Sequence, residues 1–137
     1  MSENRTDDRV NKALIVDDSN IDRLIYVKML AGIGIESVQA DNGVTAMTVL
    51  EADPEITFVL VDWNMPKMSG VELAQNIRLQ QKFQSTKIVM ITGRVEMLDV
   101  NHALEIGVDE YIMKPVSKEI LREKLALLDI RGGGPNE

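Results

Sequence analysis

Five polar residues stand where four apolar, β-prone runs of this 137-residue chain stop. They follow residues 13–16 (Asp17 and Asp18), 58–61 (Asp62), 88–91 (Thr92) and 111–113 (Lys114). If these runs are parallel strands of one sheet, all five residues gather at its carboxyl edge, where open α/β sheets bind ligands. Three carboxylates, a hydroxyl and an ammonium in one place indicate a divalent metal and a phosphoryl group.

The apolar runs alternate with helix-like patterns, which predicts an α/β fold with a parallel sheet. A weaker strand candidate lies at residues 36–40. Helix start signals follow the strands at Ser19, at Asn42-Gly43 and at Ser117. Apolar residues at steps of three and four then indicate four helices. In chain order they are Ile21, Leu24, Ile25 and Met29 in the first; Ala46, Val49 and Leu50 in the second; Leu73, Ala74 and Ile77 in the third; and Val100, Ala103 and Leu104 in the fourth. In the last helix, Leu121, Leu125 and Leu128 are expected to face the core.

Five β-then-α units with right-handed crossovers predict a doubly wound, flavodoxin-like three-layer sandwich with helices on both faces of the sheet. The most economical strand order is 2-1-3-4-5. That order makes Asp17, Asp18 and Asp62 neighbours and places Thr92 and Lys114 on the other side of Asp62.

Composition excludes several classes of function. The net charge of −7 argues against nucleic acid as a partner, because phosphate binding needs clustered Lys and Arg. The absence of cysteine excludes disulfides and thiolate metal sites, and fits a reducing cytosol. The polar start of the chain lacks the apolar core of a signal peptide, and no apolar run approaches the roughly 20 residues of a membrane span. We therefore expect one soluble, cytoplasmic domain.

The three acids need a counter-charge, because carboxylates this close cannot all stay ionised without compensation. Mg²⁺ suits a site with few protein ligands plus water and phosphate oxygens, whereas a chain with one His and no Cys offers little to zinc or iron. One carboxylate would then be the nucleophile that accepts phosphate. Asp62 is the best candidate, because it is central and the adjacent pair Asp17-Asp18 suits the metal. Taken singly, each of these residues is more often a turn, cap or strand residue.

Four segments of the chain resemble the receiver domain of two-component response regulators, most closely the stand-alone chemotaxis type. They are Val16-Asp17-Asp18-Ser19, residues 62–70 (DWNMPKMSG), Ile91-Thr92-Gly93 and residues 111–115 (YIMKP). The resemblance covers about residues 12–128. We therefore predict a receiver domain over residues 11–129, and the polar ends of the chain at 1–10 and 130–137 are expected to be flexible tails.

The resemblance also implies roles for individual residues. Asp62 would take a phosphoryl group from a histidine kinase or a histidine phosphotransfer protein. Asp18 would bind Mg²⁺ directly, Asp17 through water, and Asp62 and the backbone carbonyl of Asn64 would complete the protein ligands. Lys114, with a cis peptide bond to Pro115, would bind the phosphoryl oxygens.

The implied switch consists of Thr92, which would move toward the phosphate, and Tyr111, which would rotate inward behind it. Asn64 and Arg94 would tune the lifetime of the phosphoryl group. Arg94 departs from the chemotaxis-type pattern, which tends to carry an acid there, and is as readily interpreted as a solvated loop charge. Tyr111 has a plainer interpretation as a half-buried strand residue, and His102 is expected to be exposed.

The predicted function is that of a protein-binding switch, with no enzymatic activity beyond self-phosphotransfer and autodephosphorylation. Output would pass through the fourth helix, the fifth strand and the fifth helix, with a flagellar motor switch protein as the target in the chemotaxis type. A phosphorelay shuttle or phosphate sink is an alternative. A remote alternative is a phosphohydrolase of the haloacid-dehalogenase type, but that class carries Asp-x-Asp, and here Asp17 and Asp18 are adjacent.

Overall fold

The computed structural model describes residues 10–63, 65, 68–93, 101 and 104–132. Within them, five strands form one parallel sheet in the order β2-β1-β3-β4-β5, which confirms the predicted topology. The strands are β1 (Lys12–Val16), β2 (Glu36–Ala40), β3 (Phe58–Asp62), β4 (Lys87–Thr92) and β5 (Glu110–Met113).

Four helices are fully bounded within the described part of the chain. They are α1 (Asn20–Ile33), α2 (Gly43–Ala52), α3 (Gly70–Arg78) and α4 (Lys118–Leu127), and a short 3₁₀ helix spans Gln81–Phe83. Of the helix predicted after β4, Asn101, Leu104 and Glu105 are described and helical, whereas Val100, His102 and Ala103 lie outside the described residues. None of the helices described has both the length and the apolar character needed to cross a membrane.

Each of the four helices begins at a side-chain cap directly after a β–α turn. The side-chain oxygens of Ser19, Asn42, Ser69 and Ser117 accept hydrogen bonds from the backbone N–H three residues later. Such caps satisfy donors that the first helical turn leaves unpaired. Ser69 and Glu72 form a complete capping box. The caps therefore fix where the helices start, close to the strand ends that carry the polar residues.

The core lies on both faces of the sheet. Along β1, Leu14 and Val16 pack into one buried cluster, while Ala13 and Ile15 pack into the other. This is the two-residue alternation of a strand whose two faces are both covered. All residues of β3 are buried, which explains why the strands form continuous apolar runs in the sequence.

The buried face of α1 differs from the stripe that the sequence indicated. Ile21, Leu24 and Ile25 are exposed, with Ile21 at 71%, and the buried residues are Tyr26, Leu30 and Ile33. In α4, Leu121 and Leu125 are buried as expected, and Leu128 packs partly buried against the same cluster.

The ends of the chain fall mostly outside the described residues. Ile130, which the sequence prediction placed in a tail, is 5% exposed and belongs to the core cluster beside α4. Its N–H also donates to the Leu125 carbonyl. Packed structure therefore continues at least to Ile130.

Gly70 is expected to tolerate no side chain, because it lies against the strand end that carries Asp62. A Cβ there would come 2.5 Å from the Asp62 carbonyl oxygen and 2.9 Å from the Met90 sulfur. Gly70→Ala should lower the free energy of unfolding by about 1–3 kcal/mol, as overpacking does. Gly93→Ala is the matched control, since among the described residues its Cβ would meet only the Lys114 side chain, at 3.8 Å. Urea denaturation of both variants tests this, and equal stabilities would contradict it.

Candidate functional site

Sheet register brings the predicted site residues together. Val16 pairs with Val61, so the residues that follow, Asp17 and Asp62, lie at matching positions on neighbouring strands. Thr92 ends β4 beside β3, and it pairs with Met113, directly before Lys114. Strand ends alone therefore place these groups at one edge of the sheet.

The three acids form a compact cluster. Asp17, Asp18 and Asp62 each present a carboxylate oxygen, and these oxygens lie within 4.8 Å of one another. Asp17 is 1% exposed and Asp62 is 7% exposed, whereas Asp18 faces solvent. The cluster thus has a buried floor and one open side from which a ligand can enter.

Lys114 and Thr92 complete the site on the far side of Asp62. The Lys114 ammonium lies 3.5 Å from Oδ1 of Asp62. Its backbone N–H donates to the Thr92 carbonyl at 2.8 Å, and the Lys114-Pro115 peptide bond is cis, as the resemblance implied. Thr92 is 3% exposed. The cation and the hydroxyl-bearing residue are therefore joined through the backbone.

Asp17 is held in one orientation. Its Oδ1 accepts the Ser19 N–H at 2.9 Å, and its own N–H donates to the Ala40 carbonyl at 3.2 Å. Its Oδ2 is buried without a hydrogen-bond partner among the residues that the structure describes. Burial, followed by the negative charge of Asp62, raises the pKa of Asp17 to about 6, although the Ser19 N–H acts in the opposite direction.

These residues fit a hard divalent cation. All three side chains offer carboxylate oxygens, which Mg²⁺ and Ca²⁺ prefer. The three carboxylates and the Lys114 ammonium together carry a formal charge of −2. The buried Oδ2 of Asp17 also needs a partner, since an unsatisfied buried acceptor is costly. A bound cation would meet both needs.

Tyr111 of β5 contacts both the core and α4. Its ring is partly buried against the core, with the Lys124 ammonium 5.2 Å from the ring centroid. Oε1 of Glu110 accepts the Tyr111 N–H at 3.0 Å and lies 3.4 Å from Lys124 Nζ. The contacts of Lys124 with Glu110 and the Tyr111 ring could not be predicted from the sequence, because they depend on how α4 packs beside β5.

Two predicted site residues, Asn64 and Arg94, lie outside the described residues, so their predicted roles stay predictions. A different residue, Arg23 of α1, contacts the site and was missed. Its guanidinium donates to the backbone carbonyl of Asp17 at 2.6 Å. The position of Arg23 beside the site could have been predicted from the Ser19 cap, because Arg23 follows it by four residues, about one helical turn.

Replacing Asp17 by Asn should stabilise the metal-free protein at neutral and higher pH. Folding raises the Asp17 pKa from 3.8 to about 6, so the folded state binds more protons between those values. The Asp17 contribution to the free energy of unfolding is therefore lost as the pH rises through that window. The raised pKa corresponds to about 3 kcal/mol.

The measurement is urea denaturation with EDTA at pH 4 and pH 8. The Asn variant should exceed the wild type by up to about 3 kcal/mol at pH 8, and the two should converge at pH 4. A difference in stability between the two proteins that is the same at pH 4 and pH 8 would contradict the raised pKa of Asp17.

Comparisons with known proteins agree with this geometry. The family model of the response regulator receiver domain matches residues 13–126. A chemotaxis protein CheY homolog of Campylobacter jejuni is 37% identical over 127 residues, covering 92% of this chain and 96% of the relative. Chemotaxis protein CheY1 of Helicobacter pylori is 38% identical over 118 residues, covering 85% and 95%.

Solved structures share the fold. Chemotaxis response regulator CheY4 of Vibrio cholerae superimposes with a TM-score of 0.80 at 26% identity, covering 88% of this chain and 99% of that one. The receiver domain of a sensor histidine kinase of Pseudomonas aeruginosa, solved with magnesium in its active-site cleft, gives 0.75 at 22% identity, covering 83% and 93%. The chain belongs to the family of response regulator receiver domains, and it is similar to the CheY chemotaxis regulators.

Proposed function

We propose that this chain acts as a response regulator in which Asp62 accepts a phosphoryl group from a phosphohistidine of a partner kinase. The observation that carries the proposal is the position of Asp62. Its carboxylate lies between the acid pair Asp17-Asp18 and the Lys114 ammonium, which is 3.5 Å from its Oδ1. A carboxylate held between a cation site and a fixed positive charge is well placed to form an acyl phosphate.

The chemistry would be a direct transfer. A carboxylate oxygen of Asp62 attacks the phosphorus, the P–N bond to the histidine breaks, and its electron pair stays on the imidazole nitrogen. Lys114 would neutralise charge on the phosphoryl oxygens, and the Thr92 hydroxyl would bond one of them. Mg²⁺, held by Asp17, Asp18 and Asp62, would neutralise further phosphoryl charge.

The readout would pass to the surface through β4 and β5. The Lys114 N–H to Thr92 carbonyl bond joins the two strand ends, and Tyr111 lies three residues before Lys114 on β5. Movement at Thr92 would change the space available to the Tyr111 ring. The names of the relatives support a chemotaxis output. The target would then be a flagellar motor switch protein, bound through β5, α4 and the helix predicted after β4.

Asp62→Asn should abolish labelling by acetyl phosphate, because the amide is not a competent nucleophile. Asp41→Asn is the matched control, since Asp41 follows β2 at the same edge but is not part of the acid cluster. Phosphate incorporation can be followed by intact-protein mass. Labelling of the Asp62→Asn protein at normal stoichiometry would remove Asp62 as the acceptor.

Mg²⁺ should change the fluorescence of Trp63, the only tryptophan, which directly follows Asp62. Asp18→Ala should weaken or remove that response, because it deletes the exposed member of the cluster. Asp41→Ala should titrate like the wild type. An unchanged response in the Asp18→Ala protein would exclude Asp18 as a ligand.

A further inference from the structure

Arg23 connects three parts of the structure beside the acid cluster. Its Nη1 donates to the Asp17 carbonyl at 2.6 Å, and its Nε donates to Oε1 of Gln39 on β2 at 2.9 Å. Its Nη2 donates to Oδ1 of Asn20, the first residue of α1. One planar guanidinium therefore ties the end of β1, the first turn of α1 and the neighbouring edge strand together.

The contact to the Asp17 carbonyl matters because this carbonyl belongs to the peptide bond between Asp17 and Asp18. The peptide group is planar, so the Asp17 oxygen, the Asp18 nitrogen and the Asp18 Cα share one plane. A donor that fixes the oxygen also fixes the direction in which the chain enters Asp18. Asp17 itself is already held through its N–H and its Oδ1, whereas Asp18 faces solvent and has no comparable anchor in the described structure.

We infer that Arg23 is a positioning residue that sets Asp18 relative to Asp17 and thereby prepares the carboxylate pair for a divalent cation. The inference rests on the proposed function only in taking the acid cluster to be a cation site. Arg23 contacts neither a reacting atom nor a metal in this role; it acts through the peptide bond between two ligands. Residues that orient metal ligands typically change metal affinity 10–100-fold when they are removed.

The sign of the effect separates positioning from simple electrostatics. Removing a positive charge near a cation site should strengthen cation binding by Coulomb interaction alone. Loss of positioning should weaken it. The two explanations therefore predict opposite changes in the Mg²⁺ dissociation constant when Arg23 is replaced by Ala.

The test is a Mg²⁺ titration followed by Trp63 fluorescence and by calorimetry, with urea denaturation in EDTA alongside. Arg23→Ala should raise the Mg²⁺ dissociation constant about 10-fold. Gln39→Ala, which changes no charge and removes the partner of Nε, should raise it by a smaller factor. Lys28→Ala is the matched control for charge, because Lys28 is an exposed cation on the same helix, and it should leave the constant unchanged or slightly lower.

Arg23→Lys keeps the charge and most of the stem, but one ammonium cannot span the three acceptors, so its dissociation constant should also rise. At saturating Mg²⁺, acetyl phosphate labelling of Asp62 in the Arg23 variants should recover toward the wild-type rate, which a general loss of structure would not allow. Wild-type Mg²⁺ affinity in both Arg23 variants, or tighter binding in Arg23→Ala, would overturn the inference and leave the proposed function intact. Absence of Mg²⁺ binding in the wild type would instead overturn the cation site itself.

Discussion

The carboxylates at the ends of β1 and β3 repel one another, and the scaffold keeps them close in spite of that repulsion. Asp17 and Asp62 follow residues that pair across two buried, hydrogen-bonded strands, so neither can move away without breaking the centre of the sheet. Burying a carboxylate near another raises the free energy of its ionised form, which is why the pKa of Asp17 is raised. A cation that binds only the folded state relieves this cost and adds its own binding free energy to stability.

The two members of the acid pair are constrained differently, and this asymmetry suits ligand entry. Asp17 is held at its amide, its carbonyl and one carboxylate oxygen by Ala40, Arg23 and Ser19, while its buried Oδ2 has no hydrogen-bond partner in the described structure. Asp18 is exposed, and its position depends on the path that the backbone takes after Asp17. A cation arriving from solvent would meet Asp18 first and then the fixed oxygen of Asp17. Because Asp17 is already fixed, less conformational entropy is lost when the cation binds.

Much of this arrangement could be predicted from the sequence because it depends on local signals. Strands buried on both faces form unbroken apolar runs, and helix caps such as Ser19 and Ser117 are set by residues three positions apart. The buried face of α1 could not be predicted in the same way. Its apolar residues cover most of the helix circumference, so periodicity indicates a helix but not its rotation, which packing of Tyr26 and Leu30 on the sheet decides. The contact of Arg23 with Gln39 also depends on tertiary structure, since it needs β2 beside β1.

The surface contacts around Tyr111 are weak enough to allow a reversible switch. Lys124 contacts the Tyr111 ring and Glu110 in a partly exposed setting, where a cation–π contact contributes about 0.5–1 kcal/mol and an ion pair about 0.2–1 kcal/mol. A hydrogen bond between Thr92 and a charged phosphoryl group would contribute about 1.5–3 kcal/mol. A ligand shifts a conformational equilibrium only by its differential affinity for the two states. In the proposed switch, the phosphoryl contact at the end of β4 is of the same size as, or larger than, the two Lys124 contacts together. Its loss on dephosphorylation would let Lys124 and Glu110 restore the starting state.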